Sequence, residues 1–292
     1  MNTEKNIRFG DYWLWCVAGP EDIGALVHAM EAGAADGVCI SSWHGFSATD
    51  VDFLSEVPNL RIVAVTDAAQ VDISSLAKLE GLEYLAIDQA SGSIDFQAFP
   101  CLAELRLLEG KGRSLPAVGM PGLRRLALWE CKEHTLQFLE NYPRLEHLEI
   151  IEARRLVSMD GAENASNLTR LDVLYCPKLE AIDAVGRLVQ LRSLHVENAK
   201  KIKDYASLAR LTQLTRLFIK KAAELTSLDI LRPLTNLESL VLRYVKIGSS
   251  DLSPLLGLPK LQHLHLDNKK EYEPLHGHLK ELVAGRAPRQ IN

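Results

Sequence analysis

At 292 residues, 47% hydrophobic and 24% charged, the chain has ample apolar material for a continuous core and lacks the composition of a disordered protein. A net charge of −5 gives no general attraction for nucleic acid, and no stretch approaches the ~20 apolar residues of a membrane span. The five cysteines, Cys16, Cys39, Cys101, Cys131 and Cys176, are odd in number, scattered and free of C-x-x-C pairs, which fits a reducing compartment.

In chain order, residues 7–17 read as a short hairpin with Gly10-Asp11 at its turn and Trp13, Trp15 and Val17 alternating after it. Lys5 and Arg8 before the apolar run 12–18 imitate a secretory signal, but the run is short and Gly10-Asp11 interrupt it. A cytoplasmic location is expected. Pro20 opens a helix with Ile23, Leu26, Val27 and Met30 on one stripe. A degenerate strand at Val38 and Ile40 follows, then Ser47 and Asp50 as caps for a helical turn leading to Leu54.

From Leu60 a signature L-x-x-L-x-L recurs, as in Leu82-x-x-Leu85-x-Ile87 and Leu237-x-x-Leu240-x-Leu242. Its opening leucines stand at 60, 82, 102, 123, 145, 168, 191, 214, 237 and 261, a spacing of 20 to 24 residues. So regular a period marks a solenoid, whose units bury their apolar sides only against their neighbours. With the opening leucine as position 0, the period of two at +3 and +5 predicts a strand, and +2, +4 and +6 then point outward. The spacing of about three residues afterwards, as in Leu228, Leu231 and Leu234, predicts tight or short helical turns. Residues 133–142, apolar at Leu136, Phe138 and Leu139, predict a true helix in that unit. The Gly/Ser-rich units near 91–93 and 110–112 call for thin outer sides. Residues 272–284, with Leu275, Leu279, Leu282 and Val283 on one face, predict a closing helix.

The signature resembles that of the leucine-rich repeat family, nearest to its 22–23-residue, internalin-like bacterial type. The resemblance implies an α/β solenoid, a horseshoe with one curved parallel β-sheet capped at both ends. The expected organisation is an N-terminal cap of hairpin plus helix at 1–34, a repeat array at 35–270, a capping helix at 271–285 and a tail at 286–292. This sequence departs from the family at +8, where the usual Asn is replaced by Ala68, Ala90, Gly110, Cys131, Ala153, Cys176, Ala199, Ala222, Val245 and Lys269. The turn amides that such an Asn serves must find other partners.

The resemblance also implies binding through the concave sheet, so the outward columns carry the functional expectation. Position +6 places Leu108, Trp129, Ile151 and Leu174 in successive units, flanked at +7 by Glu109, Glu130, Glu152 and Tyr175. Farther on stand Arg216, Phe218, Lys220, Lys221, Arg243 and Tyr244, a basic end. Four adjacent apolar residues on one outward column point to an interface, with Trp129 at its centre. Residues 1–160 carry 13 Lys/Arg against 24 Asp/Glu and residues 161–292 carry 20 against 14, so net charge runs from −11 to +6 along the chain. Such polarity can orient a partner.

The expectation is a monomeric protein-interaction module without cofactor or metal, taking a protein partner as a regulatory adaptor or an immunity-type inhibitor. Neither nucleic acid nor membrane is an expected partner. The alternative is a metal-dependent or otherwise cryptic enzyme built on His263, His265 and Asp267 with His276 and His278. Same-face strand residues sit about 6.6–6.8 Å apart, too far for three to ligate one ion at about 2.0–2.2 Å without bends. The absence of a phosphate loop, a G-x-S-x-G elbow or a Cys/His constellation also weighs against catalysis.

Overall fold

The computed structural model describes residues 5–108, 115, 119–249 and 251–267, and residues 272, 277, 279, 281, 283 and 285 nearer the C-terminus. The chain forms two compact units, Met1–Leu128 and Trp129–Asn292.

The first unit opens with an antiparallel hairpin, β1 (Asn6–Phe9) and β2 (Tyr12–Cys16), which turns at Gly10 with φ 62°. A 3-10 turn at Pro20–Asp22 leads into α1 (Ile23–Glu31), which buries Leu26 and Ala29. Then come β3 (Gly37–Ser41), β4 (Ile62–Thr66), β5 (Ala68–Asp72), β6 (Tyr84–Ile87), β7 (Ala90–Ser91), β8 (Glu104–Leu108) and β9 (Arg125–Trp129). The sheet order is β1-β2-β3-β4-β6-β8-β9, with parallel pairing from β2 to β8. Strands β5 and β7 pair in a small parallel sheet of their own.

The second unit takes up the last residue of β9, Trp129, and continues with β10 (His147–Ile151), β11 (Arg170–Leu174), β12 (Ser193–Glu197), β13 (Arg216–Lys220), β14 (Ser239–Arg243) and β15 (His263–Leu266). These strands are parallel and in register, so that His147, Arg170, Ser193, Arg216, Ser239 and His263 lie side by side. Every opening leucine therefore leads into one strand, and every one is buried. The +3 and +5 positions follow, from Val63 and Val65 to Leu240 and Leu242.

Away from the sheet the repeats return through 3-10 turns. Leu225, Leu228, Leu231, Leu234 and Leu237 recur every third residue and are all buried, the period of a 3-10 rather than an α-helix. The same spacing corrects the helix expected at 133–142. Leu136, Leu139 and Tyr142 bury one edge of a 3-10 turn, Gln137–Asn141, because a period of 3.0 aligns them and 3.6 would not. The helical turn expected before Leu54 is also 3-10, Asp52–Glu56, with Asp50 accepting the Asp52 amide.

After seven of the strands the chain reverses at position +7. Asp67, Glu130, Glu152, Tyr175, Asn198, Lys221 and Tyr244 all have φ between 47° and 58° there. This left-handed corner lifts the chain off the sheet and aims the +7 amide at the next repeat. Glu130, Glu152, Tyr175, Asn198 and Lys221 donate to the carbonyls of Ile151, Leu174, Glu197, Lys220 and Arg243 at 2.8 to 3.0 Å. That ladder supplies the partners that the missing Asn leaves open.

Toward the C-terminus residues 277, 279, 281, 283 and 285 are helical, and Tyr272, Leu279 and Val283 are buried. Leu275, Leu282, His276, His278, Glu109, Gly110, Gly112, Lys269 and the tail 286–292 lie outside the described residues.

Candidate functional site

The outward face of the first unit is covered by its own chain. Leu14 and Cys16 on β2 line up through β3 with Ile62 and Ala64 on β4 and with Tyr84 and Ala86 on β6. These columns should face solvent, yet Leu14, Cys16, Cys39, Ala64, Tyr84 and Ala86 form a buried cluster with Ile7, Phe9, Tyr12 and Ile62 packed against it. Small residues at Cys39, Ala64 and Ala86 leave the space, and the hairpin bends over the face to fill it. Its turn is held by Asp11, whose carboxylate is 3.2 Å from Arg125 on β9, and Arg125 also meets Glu104 at 3.4 Å. Burial pushes the Tyr12 hydroxyl up, as does the neighbouring Glu104 carboxylate. Leu108, at the end of β8, is half-buried.

The second unit presents the same columns differently. Trp129, Ile151 and Leu174 at +6 are half-buried rather than exposed. The apolar surface that does reach solvent is at the corners, Tyr175 with 49% and Tyr244 with 65% of its area exposed. Arg216 and Lys221 are exposed, and Phe218, Val241, Lys220 and Arg243 are half-buried.

In the middle of this face lies a polar centre that the column reading missed. Asp172, at +4 on β11, is buried and accepts from Arg170 Nε at 2.7 Å, while His147 Nε2 lies 3.2 Å from it. Burial pushes its carboxyl up, but the His147 hydrogen bond and the Arg170 guanidinium outweigh that and leave it below the ordinary carboxylate range. His195, registered beside it on β12, approaches with Nδ1 at 3.9 Å. Its Nε2 is 3.4 Å from Glu197, without hydrogen-bond alignment. Burial, then Lys220, lowers the His195 pKa against the opposing pull of Asp172 and Glu197. The signal was present in the sequence, since His147, Arg170, Asp172 and His195 occupy +2 and +4 of three consecutive repeats.

No family model matches the sequence, and no curated protein is similar to it. Solved structures are. An internalin, inlF, of Listeria monocytogenes superposes with a TM-score of 0.54 at 19% identity, covering 84% of this chain and 77% of its own. Internalin C2 of the same organism gives 0.53 at 21% identity, over 66% of this chain and 84% of its own. The functional domain of InlJ from Listeria monocytogenes gives 0.54 at 18% identity, covering 76% of this chain and 49% of that one. The chain has the leucine-rich-repeat fold.

The InlJ domain is described as including a cysteine ladder. In the present leucine-rich repeats Cys131 and Cys176 at +8 are isolated among alanines and buried, and all five cysteines are free thiols. Cys176 points its thiol at the Leu174 carbonyl, 3.6 Å away, a local version of the turn contact that an Asn would make. Burial pushes that thiol up to about 12, so it stays protonated.

At the last described repeat the corner ladder ends on a side chain. The Tyr244 amide donates to the Asp267 carboxylate at 2.6 Å, and Arg243 Nε donates to its other oxygen at 3.1 Å. Asp267 is thereby committed to the protein's own chain, whereas His263 and His265 are exposed on β15. Among the described residues no three His, Cys, Asp or Glu side chains converge on a metal position, and no helix is long and apolar enough to cross a membrane.

Proposed function

We propose that this chain is a protein-interaction module that receives a protein partner on the outward sheet face of its second unit. The observation that carries this reading is the contrast between the two faces. The first unit closes its columns with the hairpin, while the second presents Tyr175, Tyr244, Arg216 and Lys221 to solvent around half-buried Trp129 and Phe218. Exposed aromatic and arginine side chains on a rigid sheet are the usual carriers of interface energy. Binding rather than catalysis is the reading, because His147, Arg170 and Asp172 in the middle of the face are engaged with one another. The likeness to internalin folds agrees with an interaction scaffold. The five free thiols support a cytoplasmic, reducing setting. Adaptor and inhibitor roles would both use this surface, and the effect of the protein on its partner's own activity separates them.

A photo-crosslinking residue placed at Tyr175 tests the reading in the native host. It should capture a partner that the same residue at Val189, exposed between the 3-10 turn Asp183–Arg187 and β12, does not. Equal capture from both positions, or from Val189 alone, sinks it.

A further inference from the structure

We propose that β13 and β14 form a docking surface for an acidic, extended segment of the partner, carrying an apolar side chain between two carboxylates. The inference deepens the proposed function and rests on it. The two strands are in register, so Arg216 lies beside Ser239, Phe218 beside Val241 and Lys220 beside Arg243. Lys221 and Tyr244 follow at the left-handed corners. Three cations thus stand on two neighbouring strands, with a fourth, Lys221, at the corner after β13, in a protein whose net charge is −5.

Their pairing is incomplete. Lys220 has Glu197 at 3.9 Å and Arg243 has Asp267 at 3.1 Å, both at the margins of the patch. Arg216 and Lys221 are exposed and have no carboxylate within ion-pair distance among the described residues. Between the cations, Phe218 and Val241 make an apolar floor, with the Phe218 ring edge-on to His195 at 5.7 Å. Arg243 lies over the Tyr244 ring at 5.2 Å, which holds its guanidinium at the rim.

The spacing defines the ligand. Alternate strand residues are about 6.6–6.8 Å apart, so Arg216, Phe218 and Lys220 repeat cation, apolar, cation at the interval of residues i, i+2 and i+4 of an extended chain. An acidic-x-apolar-x-acidic segment laid along β13 matches all three, with Lys221 and Arg243 beside its C- or N-terminal carboxylate. A nucleic acid is the weaker fit. Glu197 and Asp267 flank the cations on the same face and would repel a continuous run of phosphates.

The test uses the full chain and a fluorescein-labelled peptide, Ser-Glu-Ser-Phe-Ser-Glu-Ser, with a Lys-for-Glu peptide and a twelve-nucleotide single-stranded DNA as comparisons. Fluorescence anisotropy should show the Glu peptide binding most tightly, with affinity falling as salt rises. The double reversal Arg216→Glu/Lys221→Glu should weaken it about 10-fold or more, and Phe218→Ala should weaken it at constant salt dependence. Circular dichroism checks that both variants stay folded. No binding of the Glu peptide, equal binding of the Lys peptide, tighter binding of the DNA, or indifference to the double reversal each overturns the inference. A crosslinked partner that is lost with Tyr175→Ala yet keeps its affinity for Arg216→Glu/Lys221→Glu also overturns it while leaving the proposed function standing. A partner indifferent to all three substitutions removes the proposed function itself.

Discussion

The Tyr12 ring meets the Tyr84 ring edge-on, with centroids 4.9 Å apart, although β3 and β4 lie between their strands in the sheet. Three inter-strand spacings would separate them by about 14 Å in a flat sheet. The hairpin must therefore fold across the face, and the Asp11–Arg125 contact fixes how far it reaches.

Truncating Tyr12 tests this arrangement. Tyr12→Ala removes the edge-on ring pair and uncovers Tyr84, Ala64 and Ala86. The expected cost is about 1–2 kcal/mol in urea denaturation, with faster hydrogen exchange in β6 than in the second unit. Unchanged stability and exchange would mean that the hairpin does not pack there in solution.

The solenoid itself was legible because its signal is repeated. Leucines at fixed spacing and a period of two at +3 and +5 specify strand, register and core together, and each repeat confirms the others. Outward positions carry no such redundancy. Ala64 and Ala86 read as neutral surface until the hairpin is seen above them, since nothing local says that a distant segment returns. Trp129, Ile151 and Leu174 share the +6 column, but their half-burial is not legible from that position, and the positive φ of the corners that follow is not announced by Glu, Tyr or Lys. Asp172 was hidden for the opposite reason. A lone acidic residue on a strand is ordinary, and only the register brings His147 and His195 to it.

The inner leucines set the scale of stability. Leu194 is buried on β12, with repeats on either side. Leu194→Ala should cost about 2–5 kcal/mol through lost contacts and a cavity, measured by urea denaturation. A loss below about 1 kcal/mol would show that neighbouring repeats collapse into the space.

The corners hold strain that glycine would relieve. Glu152 has φ 55°, where an L-residue pays about 1–2 kcal/mol and glycine does not. Glycine's larger entropy loss takes back about 0.5–1 kcal/mol. Glu152→Gly should therefore raise stability by up to about 1.5 kcal/mol, whereas Gly161→Ala should lower it. Gly161 has φ 94°, and a Cβ there would collide with the Gln137 backbone nitrogen. Thermal unfolding of the pair checks both signs.

Asp172 makes stability depend on pH in a definite direction. Its carboxyl is held below its unfolded value, so its contribution is complete above the ordinary carboxylate range and is lost as pH falls through the folded pKa. His195 is also lowered, so its neutral form is favoured. That contribution is present above the ordinary histidine value and fades as pH drops from there toward the folded pKa. Asp172→Asn should cost about 2 kcal/mol at neutral pH. The gap from the parent should close in strong acid, where the parent's own carboxyl is protonated. A pH-independent gap would place the Asp172 effect in packing instead.

The two aromatics of the candidate interface should separate binding from folding. Tyr175 is about half exposed at a corner, so Tyr175→Ala should leave the unfolding midpoint within about 0.5 kcal/mol of the parent. Trp129 is half-buried at the end of β9, so Trp129→Ala should lower stability as well. Against a partner captured at Tyr175, both substitutions should weaken binding by about 2 kcal/mol or more if the corners and the +6 column form one interface. Calorimetric titration of each variant, at a temperature where Trp129→Ala is fully folded, makes the comparison fair. Loss with Tyr175→Ala alone would confine the partner to the exposed corners. Loss with Trp129→Ala alone would mean that the corner tyrosine is a bystander, and the surface would then have to be redrawn around Trp129 and β10.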